Sequence, residues 1–114
     1  MFIFLIDANP LISEWLQRLA DKSGQRFYHL AKLSEAAFFI DDLKPDVVVL
    51  DGDTALKTQG EFLDNLPDFP FLKDVPVVGL GAPLPEWVGH LNVRGHLPKP
   101  LNPAHFYDSV KALL

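Results

Sequence analysis

Five short segments of the chain have the length and the apolar character of β-strands. They lie at residues 2–6, 27–30, 45–51, 75–80 and 93–97. The first is apolar at every position, and the third carries four consecutive large apolar side chains after Asp46. Short apolar runs without alternation are typical of strands that are buried on both faces of a sheet. The pattern therefore predicts a sheet whose main strands are covered on both sides.

A segment with helical spacing of apolar residues follows the first strand. Asn9 followed by Pro10 is a favourable helix start, because asparagine can cap the helix and proline needs no N–H in the first turn. Gly24 can end this helix. Its apolar face is expected to contain Leu11, Ile12, Trp15, Leu16 and Leu19. Trp15 is accordingly interpreted as a core residue.

A second helix is predicted between the second and third strands. Ser34 is its expected cap, and the pair formed by Lys44 and Pro45 is expected to end it. Its inward-facing residues are expected to be Ala36, Phe39, Ile40 and Leu43. The stretch directly after the third strand is predicted to be poor in helix, and a short helix is predicted at residues 60–66.

Two further helices are predicted towards the C-terminus. Residues 86–91, which include Trp87, have room for at most two turns. Asn102 and Pro103 repeat the favourable start, so the last helix is expected to begin there. Its inward-facing residues are expected to be Phe106, Val110, Leu113 and Leu114.

Strands that alternate with helices in this way indicate an α/β fold. The alternation predicts a three-layer sandwich with a five-stranded parallel sheet. The length of 114 residues corresponds to one domain, and neither a linker nor an internal repeat divides it.

Composition and charge narrow the functional classes. The chain is 48% hydrophobic and 22% charged, which is typical of an ordered domain. A net charge of -5 without a block of basic residues argues against binding of nucleic acid. Cysteine is absent, so disulfides and thiolate metal sites are excluded. The first apolar run is too short for a membrane span, and we expect a cytoplasmic domain without membrane contact.

Charged side chains follow three of the predicted strands. Asp7 comes directly after the first strand, Asp51 ends the third, and Lys99 follows the fifth. In an open parallel sheet, ligands and chemistry gather at the carboxyl ends of the strands. By itself, Asp51 could be a nucleophile, a metal ligand or a loop carboxylate.

Four stretches together resemble the receiver domain of two-component response regulators, over nearly the whole chain. They are IFLID at residues 3–7, KPDVVVLD at residues 44–51, VPVV at residues 75–78 and HLPKPL at residues 96–101. The resemblance implies a flavodoxin-like sheet with the strand order 2-1-3-4-5. It also implies that the strand-end acids and the late lysine converge at one edge of this sheet.

The resemblance implies a role for each of these side chains. Asp51 stands at the position that accepts a phosphoryl group from the phosphohistidine of a partner kinase. Asp7 and, more weakly, Asp53 stand where Mg²⁺ would be bound, and Lys99 stands where the phosphoryl oxygens are held. The reaction would be nucleophilic attack by a carboxylate whose developing charge a cation neutralises.

Four places depart from the receiver pattern. In the loop after the third strand, Thr54 and Ala55 stand where the family usually has methionine and proline. Ala8 replaces the second member of the acid pair, which removes both a charge and an oxygen ligand for Mg²⁺. Gly81 stands at the switch position that usually carries a hydroxyl, and His96 stands at the position of the switch aromatic. The sequence therefore predicts weak or absent phosphorylation and doubtful Mg²⁺ binding, and no other cofactor is expected.

The resemblance also implies protein partners, such as a histidine kinase, an output domain or another signalling protein. The face built by the fourth predicted helix, the fifth strand and the last helix is the family's usual dimer and output surface. Trp87, His96 and Tyr107 are the candidates for contacts there, and a homodimer is compatible with this surface. The domain, residues 1–114, could form the N-terminal part of a longer signalling protein.

Three hypotheses remain open at this point. The first is a degenerate receiver that acts as a protein–protein interaction module. The second is a working receiver that is phosphorylated on Asp51 in a Mg²⁺-dependent phosphorelay. The third is a flavodoxin-like binder of a small ligand. None of them makes the chain an enzyme, apart from phosphorylation and dephosphorylation of its own aspartate.

Overall fold

The computed structural model describes residues 1–9, 11–57, 74–85, 91–99 and 102–114. The helix that the sequence predicts at residues 60–66 lies outside these residues, and so does the one predicted at residues 86–91, including Trp87, except for its last residue, Leu91.

Five strands form one parallel sheet. They are β1 (Phe2–Ile6), β2 (Arg26–Leu30), β3 (Val47–Asp51), β4 (Pro76–Leu80) and β5 (Asn92–Leu97). Every neighbouring pair is parallel, and the order across the sheet is β2-β1-β3-β4-β5. The predicted fold class and strand order are confirmed.

Four α-helices are numbered here along the described chain. They are α1 (Ser13–Ser23), α2 (Leu33–Leu43), α3 (Gly52–Lys57) and α4 (Phe106–Leu113), and a 3-10 turn at Pro103–His105 leads into α4. In the described part of the chain, no helix has the length and apolar character that crossing a bilayer requires. Gly24 ends α1 with a φ of 72°, a left-handed conformation that glycine adopts without strain.

The first two helices do not begin at the predicted capping residues. The side chain of Asn9 accepts a hydrogen bond from the N–H of Leu11 at 3.1 Å, which closes a local turn before α1 begins at Ser13. Helix α2 begins at Leu33, one residue before Ser34, and Lys32 occupies its cap position. Asn102 does cap the C-terminal segment, because its side chain accepts from the N–H of Ala104.

Helix α3 lies where the sequence indicated little helix. It begins at Gly52, immediately after the last residue of β3. The N–H of Thr54 donates to Oδ2 of Asp51 at 3.0 Å. This is the hydrogen bond of a helix N-cap, so Asp51 caps α3. The glycine and aspartate at positions 52 and 53 are poor helix formers, and the composition therefore did not predict this helix.

Each face of the sheet has its own apolar core. Residues of β1 and β3 alternate between the two cores, as the twofold side-chain period of a strand requires. One core packs Ala36 and Ile40 of α2 onto the sheet. The other packs Leu16 of α1 and Phe106 of α4 onto the opposite face. The two cores make the three layers that the strand and helix pattern predicts.

Several side chains that the helical spacing assigned to the core are exposed. Trp15 is 61% exposed and Leu11 is 82% exposed, so the interpretation of Trp15 as a core residue is wrong. Phe39 and Leu114 are exposed as well. Helix α1 covers the sheet with only Leu16 and Ala20 fully buried, so its buried stripe is narrower than the apolar spacing predicts.

Candidate functional site

The charged side chains at the ends of β1, β3 and β5 meet at the carboxyl edge of the sheet. Nζ of Lys99 lies 2.7 Å from Oδ1 of Asp51 and 3.2 Å from Oδ2 of Asp7. The convergence of these three residues, which are up to 92 positions apart, is confirmed. The parallel topology causes it, because all five strands end at the same edge.

The two acids are buried, whereas the lysine is accessible. Asp7 and Asp51 are each 3% exposed, and the side chain of Lys99 is 37% exposed. Two buried carboxylates and one ammonium leave the cluster with one formal negative charge. The ammonium of Lys99 is therefore the counter-ion on which both acids depend, because a buried charge without a partner is costly.

Thr54 holds the other oxygen of Asp51. Its hydroxyl donates to Oδ2 of Asp51 at 2.8 Å, in addition to the main-chain bond that caps α3. Asp51 thus accepts from Lys99 through Oδ1 and from Thr54 through Oδ2. The receiver resemblance implies no site role for Thr54, although an aspartate followed three positions later by a main-chain donor is the spacing of an N-cap.

The same threonine contacts the loop after β1. The N–H of Ala8 donates to Oγ1 of Thr54 at 2.9 Å, so the hydroxyl links this loop to Asp51. The N–H of Asn9 donates to Oδ1 of Asp7 at 2.9 Å, which orients the first acid within its own loop. These bonds fix the β1–α1 and β3–α3 loops against each other.

His29 supports the loop after β1 from the edge strand β2. Its Nε2 lies 2.7 Å from the carbonyl oxygen of Asp7. Because a carbonyl only accepts, Nε2 carries the proton and donates this bond. The histidine is a structural contact behind Asp7, and its side chain is turned to the main chain of that acid.

Asp51 and Lys99 shift each other's acidity. Burial works to raise the pKa of Asp51, but hydrogen bonds from Lys99 and from both donors of Thr54 outweigh it and lower the pKa below the ordinary 3.8. Burial works to lower the pKa of Lys99, but its bonds to Asp51 and Asp7 outweigh burial and raise the pKa above the ordinary 10.5. The pair is therefore ionised throughout the neutral range.

Gly81 and His96, the two predicted switch positions, contact each other. Nε2 of His96 lies 2.7 Å from the carbonyl oxygen of Gly81, which places the proton on Nε2. The N–H of Gly81 donates to the carbonyl of Leu97 at 2.9 Å. Gly81 has a φ of 73°, and a Cβ added there would lie 2.9 Å from Cδ of Lys99. Gly81 therefore lies between the side chain of His96 and the aliphatic part of the Lys99 side chain.

The donor set at this edge suits Mg²⁺ poorly. The ion requires a near-octahedral shell of oxygen ligands. Lys99 and Thr54 already occupy the facing carboxylate oxygens, and Ala8 offers only a methyl group. Asp53 is exposed in the first turn of α3. The described residues contain no group of three or more acids, histidines or cysteines that could hold a metal ion.

Tyr107 packs against α1. Its hydroxyl donates to the carbonyl of Leu16 at 2.7 Å, and its ring lies edge-to-face on Phe106. Burial and, secondly, the charge of Asp21 raise its pKa to about 12. The polar end of Tyr107 is thus used within the domain, and a contact of its ring at the dimer and output surface stays a prediction.

Three solved structures illustrate what this chain is similar to. The chemotaxis response regulator CheY4 of Vibrio cholerae is 21% identical, with a TM-score of 0.72 over 98% of this chain and 97% of that one. A response regulator receiver modulated diguanylate cyclase from Pelobacter carbinolicus is 26% identical, with a TM-score of 0.66 over 97% and 89%. The pseudo-receiver domain of the CikA protein is 19% identical, with a TM-score of 0.60 over 98% and 95%.

The similarity is one of structure. No protein-family model matches the sequence, and a search of curated proteins finds no similar chain. The structural neighbours are response-regulator receiver domains, and a pseudo-receiver is among them. The chain therefore has the receiver fold.

Proposed function

We propose that this chain is a receiver-like signal-transduction domain that acts mainly as a protein–protein interaction module, with weak or absent phosphorylation of Asp51. The fold supports the general class of a receiver module. The degenerate character rests on the chemistry of the residues at the carboxyl edge.

One observation carries the proposal: both carboxylate oxygens of Asp51 are bonded within the chain. Oδ1 faces Lys99 at 2.7 Å, and Oδ2 accepts two hydrogen bonds from Thr54. Hydrogen bonds and an ion pair to the charged form of a carboxylate lower its basicity, and a less basic carboxylate is a weaker nucleophile. Asp51 serves here as a helix cap and as a structural ion-pair partner.

Two sequence positions support the same conclusion. Ala8 removes an oxygen ligand from the loop that would hold Mg²⁺, and a cation is what neutralises charge during phosphoryl transfer. Gly81 has no hydroxyl with which to follow a phosphoryl group. Without these parts, a phosphoryl group on Asp51 would lack both its metal ion and its readout.

The partner of such a module is a protein. A histidine kinase, an output domain and another signalling protein all fit a receiver fold. The Pelobacter neighbour is described as a receiver-modulated diguanylate cyclase, which is a receiver joined to an output activity. The chain would have no catalytic activity of its own, apart from residual chemistry on Asp51.

The test is an NMR titration with Mg²⁺ and then with beryllofluoride, which mimics an acyl phosphate. We expect no shifts at Asp7, Asp51 or Lys99 at millimolar Mg²⁺ and excess beryllofluoride. Saturable shifts that start at these residues and spread to His96 would overturn the proposal.

A working phospho-acceptor receiver is the second candidate. The convergence of Asp7, Asp51 and Lys99 favours it, because this is the arrangement that holds a phosphoryl group in receivers. It predicts acid-labile incorporation of phosphate from a small-molecule donor in Mg²⁺, which Asp51→Asn abolishes. Incubation with acetyl phosphate and analysis by intact mass distinguishes the two candidates.

A further inference from the structure

The hydroxyl of Thr54 makes two hydrogen bonds at the centre of the site. It donates to Oδ2 of Asp51 at 2.8 Å and accepts from the N–H of Ala8 at 2.9 Å. Thr54 is 3% exposed, so these bonds are shielded from solvent. A hydroxyl is one of the few side-chain groups that donates and accepts at the same atom.

The two bonds connect two different loops. Ala8 belongs to the loop after β1, whereas Asp51 and Thr54 stand at the junction of β3 and α3. A divalent cation that bound acids of both loops would connect these same segments. Here an uncharged hydroxyl bridges them, and Lys99 supplies the positive charge by contacting Asp7 and Asp51.

We propose that Thr54 is a positioning residue that takes the place of a divalent cation: its hydroxyl ties the β1–α1 loop to Asp51 and keeps Oδ2 unavailable to a metal ion. The inference rests on the proposed function, since it explains how a receiver fold keeps its site ordered without a metal. The hydroxyl connects the two loops, and Lys99 supplies the positive charge.

Threonine suits this role for two reasons. Its branched side chain has few rotamers, so the hydroxyl is held in place at low entropic cost. The main-chain N–H of the same residue donates to the same oxygen of Asp51, and this bond caps α3. It fixes the distance between the Asp51 carboxylate and the Thr54 side chain. Valine has nearly the same shape without the hydroxyl, and serine keeps the hydroxyl without the methyl group. These two variants separate the bonds from the packing.

The first experiment measures amide hydrogen exchange at Ala8 in metal-free buffer. Thr54→Val is expected to speed the exchange of the Ala8 amide at least tenfold, whereas Thr54→Ser leaves it within about threefold. The Gly81 amide, which donates to Leu97, is the internal reference and is expected to keep its rate. Unchanged exchange at Ala8 in Thr54→Val, or equal acceleration in both variants, would overturn the proposal.

A measurement on the unaltered protein covers the case in which Thr54→Val does not fold. The geometry predicts a nuclear Overhauser effect between the Ala8 amide proton and the side-chain protons of Thr54. Its absence would overturn the proposal without any variant.

The second experiment asks whether the hydroxyl excludes a metal ion. Mg²⁺ is titrated into Ala8→Asp, which restores a carboxylate, and into the same variant combined with Thr54→Val or Thr54→Ser. We expect the combination with valine to bind Mg²⁺ at least tenfold more tightly than Ala8→Asp alone, and the combination with serine to match Ala8→Asp. Equal affinities in all three would show that Thr54 does not guard Oδ2.

The two failures are distinguishable. Phosphorylation of the unaltered protein would defeat the proposed function, whereas an Ala8 amide that does not respond to loss of the Thr54 hydroxyl would defeat only the assignment of Thr54.

Discussion

Oδ2 of Asp51 accepts hydrogen bonds from both the main-chain N–H and the hydroxyl of Thr54, at 3.0 and 2.8 Å. Asp51, which the receiver resemblance places at the phospho-acceptor position, is therefore also the cap of the helix that follows it. A cap of this kind contributes about 1 kcal/mol to stability. Asp51 thus has a structural role that does not require phosphorylation.

The structural role of Asp51 predicts a pH-dependent loss in Asp51→Asn. The amide keeps the shape, but it loses the charge and turns a donor or a weaker acceptor towards Lys99. We expect a loss of about 2 kcal/mol in the free energy of unfolding at pH 7. Because the folded pKa of Asp51 is lowered, its charge stabilises the protein above pH 3.8, and this contribution disappears as the pH falls through the folded pKa.

Urea unfolding at pH 7, 5 and 3 measures this difference. The exposed Asp53 in the first turn of α3 provides the control, and Asp53→Asn is expected to change stability by less than about 0.5 kcal/mol. A deficit of Asp51→Asn that stayed constant from pH 7 to pH 3 would contradict the role of the charge.

Removal of Lys99 is expected to destabilise the protein, because it leaves two buried carboxylates without a counter-ion. For Lys99→Met we expect a loss of about 2–4 kcal/mol at pH 7, below the range for fully buried pairs since the lysine is partly accessible. Without the ammonium, the pKa of Asp51 is expected to be higher than in the parent protein, so the loss is expected to be smaller near pH 4 than at pH 8.

Thermal and urea unfolding from pH 4 to pH 8 test this expectation. Lys111, an exposed lysine of α4, offers the matched variant Lys111→Met, which should remain within about 0.5 kcal/mol of the parent protein. If both lysine variants lost the same amount of stability, the counter-ion role of Lys99 would have to be abandoned.

A hydroxyl at position 81 should strain the site rather than restore a switch. Gly81 and Gly24 have nearly the same φ, 73° and 72°, but only at Gly81 would a Cβ meet the side chain of Lys99. Gly24→Ser is expected to cost about 1 kcal/mol from backbone strain alone. Gly81→Ser is expected to cost about 1 kcal/mol more, because Lys99 must also move.

The comparison of these two serine variants isolates the crowding. The ¹⁵Nζ resonance of Lys99 should shift in Gly81→Ser and stay unchanged in Gly24→Ser. Equal stability losses together with an unmoved lysine resonance would show that position 81 tolerates a side chain.

Because Trp15 is exposed on α1, it is expected to contribute little to the free energy of unfolding. Trp15 is 61% exposed, whereas Phe106 is fully buried against the sheet. We expect Trp15→Ala to cost less than about 1 kcal/mol and Phe106→Ala to cost about 3–5 kcal/mol. Chemical unfolding of both variants tests the assignment, and a large loss in Trp15→Ala would place the indole back in the core.

The raised pKa of Tyr107 predicts that the stability of the protein falls at alkaline pH. Its pKa is raised to about 12 in the folded protein, so the neutral phenol stabilises the fold below pH 10, and this contribution is lost as the pH rises from about 10 towards 12. The parent protein should therefore lose stability more steeply in this interval than Tyr107→Phe. Urea midpoints at pH 9, 10 and 11 measure the two slopes, and parallel slopes would contradict the shift.

The strands could be predicted from the sequence pattern, and the resemblance to receiver domains implied their order and the meeting of Asp7, Asp51 and Lys99. The local apolar pattern marks each strand, and parallel topology sends every strand end to one edge. The helix boundaries were less predictable. Asn9 and Ser34 have good capping side chains, yet α1 begins at Ser13 and Lys32 stands before α2.

What the sequence by itself determined is the framework of an α/β sandwich with charged residues at the strand ends, and its resemblance to receiver domains added the strand order and the convergence of those residues. Tertiary structure alone decided that Trp15 is exposed, that Tyr107 reaches the carbonyl of Leu16, and that Thr54 joins Ala8 to Asp51. The reason is that periodicity records only local spacing along the chain. A hydroxyl that bonds across 46 positions is fixed by how two loops pack, and spacing carries no trace of that contact.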